Sequence, residues 1–529
     1  MKKKQAWAFL FLAGVVIAFS AGCGRSAHDG KTAEITVQVF DRGTDGGKSN
    51  PVNNNWTKWI QEKALKDENI KVRFIPIPRW EEASTINNLM ASGSSPDVCL
   101  SYSPGIISNF RDLGGLLELS PYIDTVLKDL KEFLGPDEAL PGRDLIRRNE
   151  DTVTKTIYSI PARRTVTAYK TMVIRKDWLD KLGLPLPATT GEFHQALRAF
   201  KEKDPGGIGY SRVMPLCIGR DIFWDANLIL YSFIDPDLSA KERWIYTVEG
   251  RWLLLPGFKN GMRFLNQLYQ EDLINRDFAL YREPDIRNSI KAGHAGSFTG
   301  EWDAIFRESD AVFFDLQKNI PGAELTPFDG ITGANGVNRK SAYDPAGVNF
   351  FIPASCKNPE AALRYVNWLA KPENYRFLQI GPEGINHDMI DGVPRIKTGP
   401  GLWVQNSPMN LDYVFIVNGL ELGDPELNIR ALAAAYPWPF EKIRNAYDIA
   451  MNNAAPEPVV PVTLSAAGPV SQTLIDKHNA ILAELMICNP RDFDRVWDAG
   501  IAEWMASGAK IVVEERAAKY VDVFRQEEL

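Results

Sequence analysis

The sequence predicts an α/β protein built as two lobes, and three observations predict it. The first is length, because 529 residues exceed what one hydrophobic core ordinarily covers and at least two domains are expected. The second is a βαβαβ run near the start. Ile35 to Phe40 alternates as a strand, Trp56 to Leu65 has helical apolar spacing, and Val72 to Ile77 returns to a strand. Trp80 to Met90 then reads as a helix with Glu81 and Glu82 in its first turn, and Val98 to Ser101 as a third strand. The third is a crossing between Tyr158 and Phe200. Extended stretches at Ile157 to Pro161 and Val166 to Ile174 are followed by a break at Gly183 to Pro187. Thr189 and Glu192 then form a capping box for a helix that carries Phe193, Ala196, Leu197 and Phe200 on one face. This order takes the chain from one lobe into another. Sheets of this type bind ligands beyond the carboxyl ends of their strands, so function is expected between the lobes, at the loops that start at Asp41, Pro78 and Tyr102.

The first residues form an address. Lys2, Lys3 and Lys4 precede an apolar run from Ala6 to Phe19, closed by Ser20, Ala21, Gly22 and Cys23. The run is shorter than the roughly 20 residues a membrane span requires. It resembles a bacterial lipoprotein signal, with Ser20 where such signals favour Leu. Residues 1–22 are therefore expected as signal peptide, Cys23 as the lipid (palmitate) acceptor and 23–32 as a tether, with a plain secretory signal as the alternative. Cys99, Cys217, Cys356 and Cys488 are widely spaced, without a CxxC, and sit among apolar residues, so buried free thiols are expected. A net charge of -7 is small for this length and excludes a general nucleic-acid binder.

Further along, Gly114 to Asp124 is a turn leading into a short apolar helix, and Lys128 to Glu150 reads as charged surface. Arg220 to Tyr246 is dense in aromatics, suited to core or to a ligand wall. Gly261 to Gln270 is helical, and Lys291 to Phe306 reads as a return to the first lobe. Val348 to Pro353 is a strand, and Asn358 and Pro359 open a helix that runs to Leu369. Phe493, Val496, Trp497, Ile501, Trp504 and Met505 mark one face of a helix stopped at Gly508. The expected division places 33–165 with 286–345 in the first lobe and 166–285 with 346–529 in the second.

Catalytic motifs are missing. There is no GxSxG, HExxH, P-loop or GxGxxG, and the five His residues are scattered, so no catalytic residue, cofactor or metal site is expected. Fourteen Trp residues suit sugar rings as well as cores. A pyranose needs an aromatic platform and polar groups for its hydroxyls. Trp80, Tyr102, Trp224, Trp302 and Trp403 are candidate platforms, each equally suited to packing. Asp41, Arg79, Glu301 and Arg163 are candidate polar contacts. Arg163 and Arg164 in the crossing suit either a uronic acid carboxylate or a structural ion pair. Trp178, Trp368, Trp497 and Trp504 lie on amphipathic helices and are assigned to the core.

Several stretches together resemble the extracellular solute-binding lipoproteins of bacterial carbohydrate ABC importers. They are SGSSPDVCLSY with GGLLELSPYID, YSIP followed by RKDWLDKLGLPLPATTGEF, NPEAALRYVNWL with GPEGINHDMIDGVP, and FDRVWDAGIAEWMASGAK. The resemblance runs from about Ile35 to the C-terminus. It implies a two-lobed periplasmic-binding-protein-like fold of type II that closes over an oligosaccharide and delivers it to permease subunits at the membrane, as a monomer and without catalysis. Alternatives are a lipid-anchored polysaccharide-degrading enzyme, or a receptor for another solute on the same fold. Relatives often carry an Asp-rich calcium loop after the helix corresponding to Thr189 to Lys203. Here Asp204 is the only carboxylate of the segment Asp204 to Tyr210, so no calcium is expected there.

Overall fold

In the computed structural model the described residues are 31–42, 50–140, 142–151, 154–307, 312–333, 336, 338–397, 401–403, 412–460, 462 and 464–527. The expected signal peptide and Cys23 lie outside them. The chain forms two α/β lobes. In the first, β1 (Ala33–Asp41) and β2 (Ile70–Pro78) run parallel, from Ala33 opposite Ile70 to Asp41 opposite Pro78. The helix Asn55–Glu68 connects them, opened by a reciprocal cap between Asn54 and Thr57 and ended by Asn69 in the left-handed region. Val37 bridges Val98 at the start of β3 (Cys99–Ser101), which extends the parallel order.

The chain then meets β4 (Ile160–Arg164) and enters the second lobe with β5 (Lys170–Arg175). There β6 (Met214–Leu216), β7 (Ala295–Glu301) and β8 (Leu325–Phe328) complete a sheet of order β6-β7-β5-β8. Every residue of β5 is buried, as an interior strand covered on both faces requires. The helix Thr190–Lys203 begins with the capping box of Thr189 and Glu192 and buries Phe193, Ala196, Leu197 and Phe200. Gly296 on β7 makes this packing possible. A Cβ there would lie 2.6 Å from the Phe200 ring and 3.0 Å from that of Trp178.

After β9 (Lys340–Ser341) the chain returns to the first lobe as β10 (Ala346–Phe351), antiparallel to both β3 and β4. A hairpin, β11 (His387–Ile390) and β12 (Val393–Ile396), precedes β13 (Val417–Asn418), which adds to β4 in parallel and closes the order β13-β4-β10-β3. The last crossing leads to β14 (Ala454–Ala455), paired with β9, and to the helices Ala467–Ile487, Phe493–Trp504 and Lys510–Glu527. Gly508, with φ 123°, kinks the last pair but does not end it, since helical structure resumes at Lys510.

Two segments therefore lie opposite to their expected side. Residues 286–345 contribute β7 and β8 to the second sheet, because β7 brings Gly296 against Trp178 and Phe200. Residues 346–417 contribute β10 and β13 to the first, where Val348, Phe350 and Tyr413 to Val417 join its core. The stretch Lys128 to Glu150 is also less superficial than expected, for it buries Leu130, Leu134, Leu145 and Ile146, and Arg148 pairs with buried Asp137. The cysteines Cys99, Cys217, Cys356 and Cys488 are free thiols. Among the described residues no helix is long and apolar enough to cross a membrane.

Three chain crossings join the lobes and are bonded into one strap. Arg163 N donates to Ile416 O at 2.9 Å, Arg164 N to Pro345 O at 2.7 Å, Thr165 N to Asn418 O at 3.0 Å and Tyr343 N to Thr167 O at 2.9 Å. Gly347 lets the strands approach, since a Cβ there would lie 2.8 Å from Asn418 Cβ.

Candidate functional site

The carboxyl ends of β1, β2 and β3 gather the polar groups of the first lobe. Tyr102 stacks on Phe40 with ring centroids 6.0 Å apart, and the Arg79 guanidinium lies 4.2 Å over the Tyr102 ring. Glu82 fixes this group: one oxygen accepts from Arg79 at 2.8 Å, and the other from Ser101 Oγ and Tyr102 N, both at 2.8 Å. Beside them Arg42 makes a two-point pair with Asp412, at 2.8 and 2.9 Å.

The strap carries Arg164 between the lobes. Its Nε donates to Asp344 O at 2.9 Å, a second nitrogen reaches Asn418 Oδ1 at 3.4 Å, and the guanidinium lies 4.6 Å over the Tyr343 ring. Among the described residues no carboxylate comes within ion-pair distance of it. Burial lowers its pKa, with the Tyr343, Tyr102 and Asp344 oxygens pulling the other way.

From Tyr343 an aromatic path enters the second lobe, to Tyr169 at 4.5 Å and then edge-on to Trp224 at 5.8 Å. Trp224 is 42% exposed, unusual for so large an apolar ring. It sits on the short helix Ile222–Asp225, opened by Asp221, whose side chain accepts from Trp224 N. Beneath the ring, Lys170 Nζ lies 3.6 Å from its centroid and donates to the Trp224 carbonyl. Burial pushes the Lys170 ammonium down to a pKa of about 7.

A hollow of about 440 Å³ opens between the lobes. Tyr102, Asn149 and Asn349 line it from the first lobe, Asp344 from the strap, and Trp244 and Arg516 from the second lobe. The volume falls within the ordinary range of small-ligand sites, about 300–1,000 Å³.

Of the expected contacts, Tyr102 lines the hollow, Arg79 lies over the Tyr102 ring, Trp224 is exposed on the second lobe and Asp41 is exposed at the end of β1. Glu301, paired with Arg307, accepts from the Tyr343 hydroxyl at 3.3 Å. Three expected contacts are elsewhere. Trp302 is 4% exposed and packs edge-on against Tyr447 at 5.4 Å in the second-lobe core, so its flanking acids do not make it a platform. Trp403 meets Trp56 edge-on at 5.0 Å against the first-lobe core. Arg163 points to the rear of the strap, donating to Phe133 O at 3.3 Å, with Glu421 at 4.0 Å. Neighbours along a strand face opposite sides, so Arg164 takes the front. The backbone of Trp80 lies in the short turn Arg79–Glu81, and its side chain is outside the described residues. Trp244 falls in the aromatic stretch Arg220 to Tyr246 that suited core or ligand wall, whereas Tyr169, Lys170, Tyr343 and Arg516 carried no local signal. Asp204 spends its carboxylate on the amides of Ile208 at 3.0 Å and Gly209 at 2.7 Å.

Comparison with known proteins bears on the family and the fold. Lipoprotein LipO of Bacillus subtilis (strain 168) is 29% identical over 425 residues, covering 74% of this chain and 75% of LipO. The polygalacturonan/rhamnogalacturonan-binding protein YtcQ of the same organism is 22% identical over 518 residues, covering 92% and 94%. The crystal structure of the alginate-binding protein AlgQ2 without calcium ion matches with a TM-score of 0.64 at 18% identity, over 93% of this chain and 98% of AlgQ2, a likeness of fold. Residues 51–376, more than half of the chain, match the family model described as bacterial extracellular solute-binding protein, and the protein belongs to that family.

Proposed function

We propose that the protein captures an oligosaccharide containing uronic acid residues in the cleft between its lobes and hands it, unaltered, to the permease subunits of an ABC importer. The observation that carries this reading is Arg164, a guanidinium at the junction of the lobes, stacked on Tyr343, with no acidic partner among the described residues. A carboxylate is the group such a fork is shaped to receive. Tyr102 and Trp224 offer faces for sugar rings on the two sides of it. The polygalacturonan/rhamnogalacturonan-binding relative supports the choice of acidic sugar. Ligand preference for the closed arrangement would draw the lobes together about the strap.

Titration calorimetry with oligogalacturonides and their methyl esters tests this. The acids should bind more tightly than the esters, and Arg164→Ala should weaken the acids about 10- to 100-fold, the worth of one charged hydrogen bond. Tighter binding of neutral sugars, or an unaffected Arg164→Ala variant, would refute it. Incubation of the protein with polygalacturonate should release no reducing ends. The protein is further read as a monomer held at the outer face of the membrane by lipid on Cys23, so Cys23→Ser should move it from the membrane fraction into the medium. Unchanged fractionation would count against the anchor.

A further inference from the structure

The helix Lys510–Glu527, beyond residues 51–376 that match the family model, reaches the hollow through one side chain, Arg516. Its guanidinium lies 5.0 Å over the Trp244 ring, and one nitrogen donates to Trp244 O at 2.6 Å. Its Nε is buried with no hydrogen-bond partner. Among the described residues no carboxylate lies within ion-pair distance of Arg516; Glu249, which accepts from Ser471 Oγ, and Glu515 act on it only through space and do not offset its burial. The adjacent Glu515 is committed to the Ser465 and Ala466 amides, both at 2.9 Å, and to Lys519 at 3.1 Å. The acids that line the hollow are engaged as well. Asp344 holds Arg148 at 2.8 Å, Glu150 holds Arg147 at 2.8 Å, and Asp151 accepts from Thr154 N at 2.8 Å. Val460, Val462 and Leu464 make the surroundings of Arg516 apolar. A cation left there without a counterion is costly, and a partner anion from outside would relieve that cost.

We infer that Arg516 receives a second carboxylate of the same ligand, so that the cleft reads acidic residues at two places along one sugar chain. The inference rests on the uronate reading above. Arg164 belongs to the strap and Arg516 to the second lobe, so a ligand that satisfies both must carry two acidic residues and bridge the strap to that lobe. A monouronate satisfies one guanidinium only. Arg516 is thereby a determinant of ligand length and charge.

Calorimetry with galacturonate, with its oligomers of increasing length and with the methyl-esterified oligomers decides the matter, using the full protein and the variants Arg516→Gln and Arg516→Lys. From the length at which affinity of the wild type steps up, Arg516→Gln should lose about tenfold for the acids and nothing for the esters. The lysine variant, which keeps the charge and the reach to Trp244 O, should recover part of the loss. Thermal midpoints should stay within a few degrees for both variants. A wild type that prefers acids to esters, with that preference intact in Arg516→Gln or with equal losses for both ligand forms, overturns the role of Arg516 alone. A wild type with no preference for acids overturns the uronate reading, and this inference with it.

Discussion

Replacing Lys170 with methionine tests how the Trp224 platform is supported. The lysine is 1% exposed, its ammonium lies 3.6 Å beneath the indole, and no carboxylate pairs with it among the described residues. Burial first, opposed in part by Asp225, Glu301 and Asp221, lowers its pKa from 10.5 to about 7. The unfolded chain keeps that proton up to about pH 10.4, whereas the folded chain releases it near 7. Between these values the unfolded state binds more protons, so stability rises with pH, by at most about 1.4 kcal/mol per pH unit. Below pH 7 both states are charged and the whole penalty is present, about 5 kcal/mol as a ceiling across the window; above about 10.5 it is gone. Methionine removes the penalty and leaves the Trp224 carbonyl without its donor, a loss of about 1–3 kcal/mol. The variant should therefore be the more stable protein at pH 6, by about 2 kcal/mol or more, and lose that advantage by pH 10. Urea unfolding of both proteins between pH 6 and pH 10, followed by tryptophan fluorescence, measures it. Parallel stability profiles would refute the reasoning, because a lysine charged in the native state throughout would give no slope.

Other substitutions separate platform, rear and strap. Trp224→Ala should weaken oligosaccharide binding by about 2 kcal/mol, as the loss of an aromatic anchor does, while the unfolding midpoint barely moves because the ring is already 42% exposed; calorimetry and thermal scans check both. Arg163→Ala should leave affinity unchanged and shift stability by less than about 1 kcal/mol, since its contact with Glu421 is 4.0 Å long and partly solvated; a tenfold loss of affinity would return the ligand to the rear of the strap. Gly347→Ala sets a Cβ 2.8 Å from Asn418 Cβ and 3.2 Å from Ala162 Cβ, and forcing the crossing strands apart should cost about 1–3 kcal/mol in denaturant unfolding.

Local chemistry was readable and distant pairing was not. The capping box of Thr189 and Glu192 and the buried face of the helix it opens follow from spacing within a dozen residues, and the parallel pair of β1 and β2, 37 positions apart, from the strand–helix–strand order. The side joined by residues 286–345 depends on β7 meeting β5, where Ser297 Oγ donates to Val173 O across 124 positions, and no short-range pattern encodes that. The site divides in the same way. Tyr102 and Arg79 follow from the rule that loops after parallel strands face the ligand. Trp224 and Trp302 are alike in sequence, each beside an aspartate; Tyr436 and Tyr447 pack on the second and leave it 4% exposed, whereas Tyr169 and Lys170 support the first and leave it 42% exposed. Alternation along β4 separates Arg163 from Arg164 but does not say which of them faces the ligand. Charges between Lys128 and Glu150 concealed a buried helix face, because Arg148 spends its charge on Asp137 and Asp344.

The strap also dictates when the molecule can be completed. The sheet of the first lobe needs β4, β10 and β13, and the side chains of Arg164 and Asn418 meet across 254 positions of chain. A chain that emerges amino end first therefore holds β3 and β4 with no partner strand between them until β10 arrives, and cannot finish that sheet until Asn418 is free. The second sheet has no such delay, since β5 to β8 are all present by Phe328, so the two sheets become complete about 90 residues apart and the earlier strands β3 and β4 belong to the sheet that is finished last.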